Sequence, residues 1–79
     1  MERTGNDLTL DLRGMRCPQL VLRASKAMKQ IAVGGKLVLT CTDPLSRIDV
    51  PLFAQQAGHQ LVCQRCVDDV LIFELVRMR

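Results

Sequence analysis

Residues 8–20 read Leu8-Thr9-Leu10-Asp11-Leu12-Arg13-Gly14-Met15-Arg16-Cys17-Pro18-Gln19-Leu20, and this stretch decides the fold. Leu8, Leu10 and Leu12 alternate with Thr9 and Asp11, which predicts a short strand with one buried face. Arg13 to Arg16 form the loop that follows. Proline is best tolerated at the first helical position, where its missing N–H costs nothing, so Pro18 predicts a helix start. Cys17 then falls at the N-cap, beside unpaired N–H groups and the positive end of the helix dipole. A thiol at such a site ionises readily, with a pKa of roughly 3.5–7.5. Cys17 is the candidate nucleophile.

Downstream the period changes. From Pro18 to about Ala32, Leu20, Val21, Ala24, Met28, Ile31 and Ala32 share one helical arc, and Gln19, Arg23, Lys26, Lys29 and Gln30 share the opposite one. Leu22 breaks the pattern, standing among the charges as a candidate docking contact. Gly34-Gly35 ends this helix. Lys36 to Thr42 reads as a central strand, apolar on both faces at Val38 and Leu39. A strand, a helix and a second strand in so short a space predict a right-handed parallel crossover.

Asp43-Pro44 opens a second helical segment that reaches about Ala57. Pro51 inside it predicts an irregular first turn, with regular helix from Asp49 or Val50 and Gly58 as the stop. Gln60 to Cys66 and Val70 to Val76 read as strands joined tightly at Asp68-Asp69. The order β-α-β-α-β-β predicts an α/β two-layer sandwich, a mixed four-stranded sheet with both helices on one face.

Seventy-nine residues make a single domain spanning 1–79, with 1–7 expected to be flexible. Apolar residues are 48% of the chain, without Trp or Tyr and with two Phe, so the core must be aliphatic. No apolar stretch approaches the ~18–20 residues that span a bilayer, and no membrane partner is expected. Met-Glu-Arg-Thr-Gly-Asn-Asp lacks the apolar core of a secretory signal, which makes the cytoplasm the expected compartment and disulfides unexpected. A net charge of +3 without stacking aromatics does not point to nucleic acid. Its distribution is uneven. Between Leu12 and Thr42 no acidic residue occurs, while Arg13, Arg16, Arg23, Lys26, Lys29 and Lys36 all do. This predicts a basic collar around Cys17 that stabilises a thiolate and attracts acidic partners.

Cys63-Gln64-Arg65-Cys66 is the other thiol motif. A single Cys-x-x-Cys is a weak signal for zinc or redox work, and on a strand its two side chains point to opposite faces. Cys41 reads as a core residue. His59, entering a strand, reads first as a structural hydrogen-bonding residue, with a general base or ligand as the alternative. Asp43 and Asp49 read as helix caps. No Ser/His/Asp set, phosphate loop or pair of carboxylates occurs, and neither a metal nor a cofactor is expected.

Leu10-Asp11-Leu12-Arg13-Gly14-Met15-Arg16-Cys17-Pro18, the helix, and Gly34-Gly35 together resemble the signature of the TusA/SirA family of small sulfur-carrier proteins. Asp43-Pro44, Asp49-Val50-Pro51 and Gly58-His59-Gln60-Leu61-Val62 continue the resemblance along nearly the whole chain. It departs at Leu20, where the family's Cys-Pro-x-Pro has a second proline. That proline would cost no intrahelical bond so near the helix start and would stiffen the first turn. The resemblance implies a sulfurtransferase-type carrier that holds sulfane sulfur as a persulfide on Cys17. It implies a donor, a cysteine desulfurase or rhodanese-like enzyme, and an acceptor protein. Transfer-RNA thiolation, molybdenum-cofactor assembly, selenium handling and sulfur oxidation use such carriers. Arg13, Gly14, Arg16 and Pro18 would support the thiolate, and Arg16, Leu22, Arg23 and Lys26 would meet partners. The position three residues beyond Cys17 is Leu20, so no resolving thiol of the thioredoxin kind is present. Two alternatives remain: a regulatory or adaptor domain of the same fold without sulfur transfer, and a redox or zinc module built on Cys63 and Cys66.

Overall fold

A computed structural model describes residues 7–16 and 18–79. The elements run β1 (Asp7–Leu12), α1 (Gln19–Met28), β2 (Lys36–Cys41), α2 (Ser46–Ala57), β3 (Gln60–Val67) and β4 (Val70–Val76), the predicted order. Asp7 already belongs to β1; the rest of the expected flexible start lies outside the described residues.

The sheet has the order β1-β2-β4-β3, with β1 and β2 parallel and the other neighbours antiparallel. Strand pleating sends alternate residues to opposite faces. Leu12, Leu37, Leu39, Cys41, Leu71, Phe73 and Leu75 therefore pack on one face, where Leu20, Ala24, Ala27, Met28 and Ile31 meet them with Val50 and Ala54 from α2. The other face carries no helix and leaves Val38, Thr40 and Ile72 half-exposed in the centre. Val38 is thus apolar on an uncovered face of a central strand.

Three boundaries differ from the sequence reading. First, α1 stops at Met28 instead of continuing to Ala32. Lys29 and Gln30 donate to carbonyls three residues back, and the Arg77 guanidinium reaches the Ile31 carbonyl at 2.6 Å. Arg77 lies 46 residues away in sequence, so helical periodicity contains no trace of that contact. Ile31 remains buried beyond the helix, whereas Ala32 is exposed.

Second, α2 begins at Ser46, earlier than Asp49 or Val50. Its opening is the irregular turn that Pro51 predicts: Ser46, Arg47 and Ile48 donate to carbonyls three residues back, and Asp49 donates four back to Leu45. Asp43 Oδ1 accepts the Leu45 N–H at 3.1 Å, a capping role for the turn that precedes the helix. Gly58 closes α2 at φ +80°, where a side chain would also strike the Arg79 guanidinium. Third, α1 starts at Gln19 with Pro18 as its N-cap residue, one position later than predicted.

Asp68 and Asp69 both have positive φ, the sign pattern of a two-residue type I′ hairpin. A register shift between Leu61 and Cys63 bulges β3 around Val62.

Candidate functional site

Both β1 and β2 end at the edge of the sheet from which α1 and α2 set out. The Arg13–Arg16 loop leaves β1 there, and the Thr42–Leu45 turn leaves β2. Their juxtaposition follows from the parallel register, which pairs Leu12 with Cys41. Hydrogen bonds to β1, to the Thr42 turn and to α1 fix the loop. The Met15 N–H donates to the Leu12 carbonyl at 3.1 Å, and the half-buried Met15 side chain packs on the core. The Gly14 N–H donates to Thr42 Oγ1 at 2.8 Å. The Leu20 N–H donates to the Arg16 carbonyl at 3.0 Å, closing a backbone turn from residue 16 to residue 20. Gly14 takes φ +81°, a left-handed conformation that glycine adopts without strain.

Between loop and turn lies an open cleft of about 500 Å³, lined by Gly14, Met15, Arg16, Thr42, Asp43, Pro44 and Leu45. On the other side of the α1 start, Pro18, Val21, Asp49, Leu52, Phe53 and Gln56 line a more apolar groove of about 270 Å³. Cys17 itself lies outside the described residues. Its two chain neighbours do not: Arg16 lines the first cleft and Pro18 the second, both exposed.

Leu20, which stands where the family signature has proline, is fully buried and belongs to the core arc as predicted. A proline there would still cost no bond within α1, but it would cost one in the turn that precedes it. The Leu20 amide is already engaged by Arg16, because the turn leading into α1 closes one residue before the regular helix.

The basic collar also needs correcting. A parallel crossover returns α1 antiparallel to β1, which carries the last turn of α1 and the first residue of β2 to the opposite end of the sheet. Lys26 lies in that last turn, Lys29 follows it, and Lys36 pairs with Glu74 at 3.3 Å on the helix-free face. Arg13 grips Asp11 through two contacts, Nε to Oδ1 at 2.8 Å and Nη2 to Oδ2 at 2.7 Å. Those bonds hold the Asp11 carboxyl down to about 2 and push the guanidinium pKa up. Arg16 is the cation that lines the cleft. Leu22 is 60% exposed and borders a shallow depression on α1 with Arg23 and Lys26, while Arg16, the fourth residue expected to meet partners, lines the first cleft instead.

The other thiols are dispersed. Cys41 is buried in the core, and burial, reinforced by the Asp43 charge, pushes its pKa up to about 11. In β3 the register pairs Cys63 with Glu74 and Cys66 with Leu71, on opposite faces of the sheet, and all three are free thiols. Among the described residues no group of three or more His, Cys, Asp or Glu is placed to hold a metal ion. His59 Nδ1 accepts the Met78 N–H at 3.2 Å, the structural role read first for it. Burial, then the Arg77 and Arg79 charges, pull its pKa down.

Thr42, Pro44, Leu45, Leu52 and Phe53 border the two clefts without having been legible as site residues. Only Asp43-Pro44 gave a turn signal; nothing in sequence couples Thr42 to Gly14, 28 residues away.

The family model for sulfurtransferase TusA matches residues 8–77. The chain is 40% identical over 60 residues to the sulfur carrier protein TusA of Pseudomonas entomophila (strain L48), covering 76% of this chain and 75% of that one. It is 39% identical over 59 residues to the sulfur carrier protein TusA of Pseudomonas aeruginosa (strain LESB58), covering 75% of each. The crystal structure of a SirA-like protein from Desulfitobacterium hafniense superposes with a TM-score of 0.79 at 27% identity, covering 90% of this chain and 97% of that one. No helix among the described residues is long and apolar enough to cross a membrane.

Proposed function

Since the chain belongs to the TusA sulfurtransferase family, we propose that it relays sulfane sulfur as a persulfide on Cys17. The supporting observation is the placement of that residue's chain neighbours. Arg16 lines one cleft, and Pro18, the N-cap residue of α1, lines another. A cation and a helix N-terminus both favour an anionic sulfur.

In the step, the Cys17 thiolate attacks the outer sulfur of a donor persulfide. A new S–S bond forms on Cys17, the donor's S–S bond breaks, and the donor leaves as a thiolate. The sulfur keeps its oxidation level, and neither an oxidant nor a cofactor is consumed. Delivery repeats the exchange with an acceptor thiol. The donor is a cysteine desulfurase or rhodanese-like protein, the acceptor is a second protein, and the compartment is the cytoplasm. Arg16 and Pro18 support the thiolate together with the loop that Arg13 and Gly14 shape. Arg16, Leu22, Arg23 and Lys26 contribute to partner contact.

Mass spectrometry after incubation with a desulfurase and cysteine tests the reading. Wild type gains one sulfur atom and Cys17→Ser gains none. An equal gain on Cys17→Ser would remove Cys17 from the mechanism. An adaptor without sulfur transfer predicts no gain on either and partner binding unaffected by Cys17→Ser, and a redox or zinc module built on Cys63 and Cys66 predicts bound zinc, or an oxidation-dependent shift in stability that disappears in Cys63→Ser.

A further inference from the structure

The loop between β1 and α1 turns through three consecutive amides, and each finds an acceptor. The Arg13 N–H donates to Asp11 Oδ1 at 3.2 Å, the Gly14 N–H to Thr42 Oγ1 at 2.8 Å, and the Met15 N–H to the Leu12 carbonyl at 3.1 Å. The first and third bonds fold the loop back on the strand it has just left. The second crosses to another element, because Thr42 is the residue that follows β2.

That bond joins the two walls of the cleft. Gly14, Met15 and Arg16 line one side of it, and Thr42, Asp43, Pro44 and Leu45 line the other. Arg16 and Cys17 follow within three residues of the anchored amide, a length of chain too short to hold much slack. The Arg16 carbonyl is in turn held by the Leu20 N–H at 3.0 Å, so the chain is fixed on both sides of Cys17 in sequence. The Thr42 bond is exposed, and water replaces such a bond at little cost in free energy. Water does not replace its direction, which is what sets the distance between loop and turn.

We propose that Thr42 is a positioning residue for sulfur transfer: through Gly14 its hydroxyl holds the loop that carries Arg16 and Cys17 at its working distance from the β2–α2 turn. This rests on the carrier reading and adds a residue that the Cys-Pro motif does not contain. Persulfide exchange needs the attacking thiolate aligned with the S–S bond that breaks, and a small misplacement slows it. Gly14 offers a second handle on the same tether. Its φ is +81°, and an added Cβ would meet no atom within 4 Å, so Gly14→Ala disturbs the loop through the backbone conformation and not through crowding.

The experiment follows sulfur gain on the Cys17 peptide by mass spectrometry with two donors, glutathione persulfide and a cysteine desulfurase supplied with cysteine. Each passes its outer sulfur to the Cys17 thiolate and leaves as a thiolate. All variants are compared at a temperature where circular dichroism shows them folded. Thr42→Val loads about threefold to tenfold more slowly from both donors, the worth of one neutral hydrogen bond. With the desulfurase the loss falls on kcat and leaves KM unchanged. Thr42→Ser, which keeps the hydroxyl, loads at the wild-type rate. Gly14→Ala is also slow, and the double variant is no slower than the slower single one, as two changes on one path require. Four results would each overturn the assignment: a wild-type rate in Thr42→Val, an equal loss in Thr42→Ser, a loss confined to the desulfurase, or losses that multiply in the double variant. Failure of the carrier reading looks different: wild type would take sulfur on Cys17 from neither donor, and the positioning role would fall with it.

Discussion

Restoring the family's second proline is the sharpest probe of how this chain reaches the same fold. Leu20→Pro removes the amide that donates to the Arg16 carbonyl at 3.0 Å. Losing such a bond costs about 0.5–1.5 kcal/mol. It also exchanges a side chain with no exposed surface for a smaller ring tied back to the chain. The lost burial and residual cavity cost about 1–2 kcal/mol. Proline disfavours helical geometry at Gln19, which adds to the loss. Stiffening of the unfolded chain returns about 0.4–1 kcal/mol. The net is a destabilisation of about 2 kcal/mol, which in a domain of this size lowers Tm by roughly 8–16 °C. Thermal unfolding followed by circular dichroism, with a urea titration as a check, measures it. Equal or higher stability in Leu20→Pro would show that neither the Leu20 amide nor its side chain contributes as described, and that the family motif and this one are interchangeable.

Thr42→Val removes the acceptor of the Gly14 N–H, while Thr42→Ser keeps it. Exchange of the Gly14 amide with solvent should accelerate in the valine variant alone, with little change in Tm because the bond is exposed; equal acceleration in both variants would contradict the assignment. His59 should make stability pH-dependent. Its pKa is lowered in the folded protein, so its contribution is complete above the unfolded value of about 6.5 and is lost as pH falls through the folded value. Between about pH 7 and pH 5 the Tm of wild type should therefore fall more steeply than that of His59→Asn, and parallel profiles would refute the coupling.

Much of the fold was legible because its determinants are local. Alternation at Leu8, Leu10 and Leu12, the arc from Leu20 to Met28, Gly58 after α2 and Asp68-Asp69 in the hairpin each announce an element through its nearest neighbours. The end of α1 was not legible, because Arg77 helps to set it from the far end of the chain. The basic collar does not form around Cys17's neighbours for a related reason. A run of cations in sequence becomes a cluster only if the chain stays at one end of the molecule, and α1 carries Lys26 and Lys29 away from it.

The candidate site divides along the same line. Cys17-Pro18, the glycine at position 14 and the absence of a thiol at position 20 are properties of a short peptide, and the sequence displays them directly. The clasp of Thr42 on Gly14 and the cleft shared by the Arg16 loop and the Pro44 turn arise only when parallel pairing brings the ends of β1 and β2 together. Hydrophobic periodicity tells which residues avoid water but not which of two apolar stripes on α2, Val50 with Ala54 or Ile48 with Leu52, finds the core. Packing against the sheet settles that, because the sheet has room for one stripe and leaves the other to solvent.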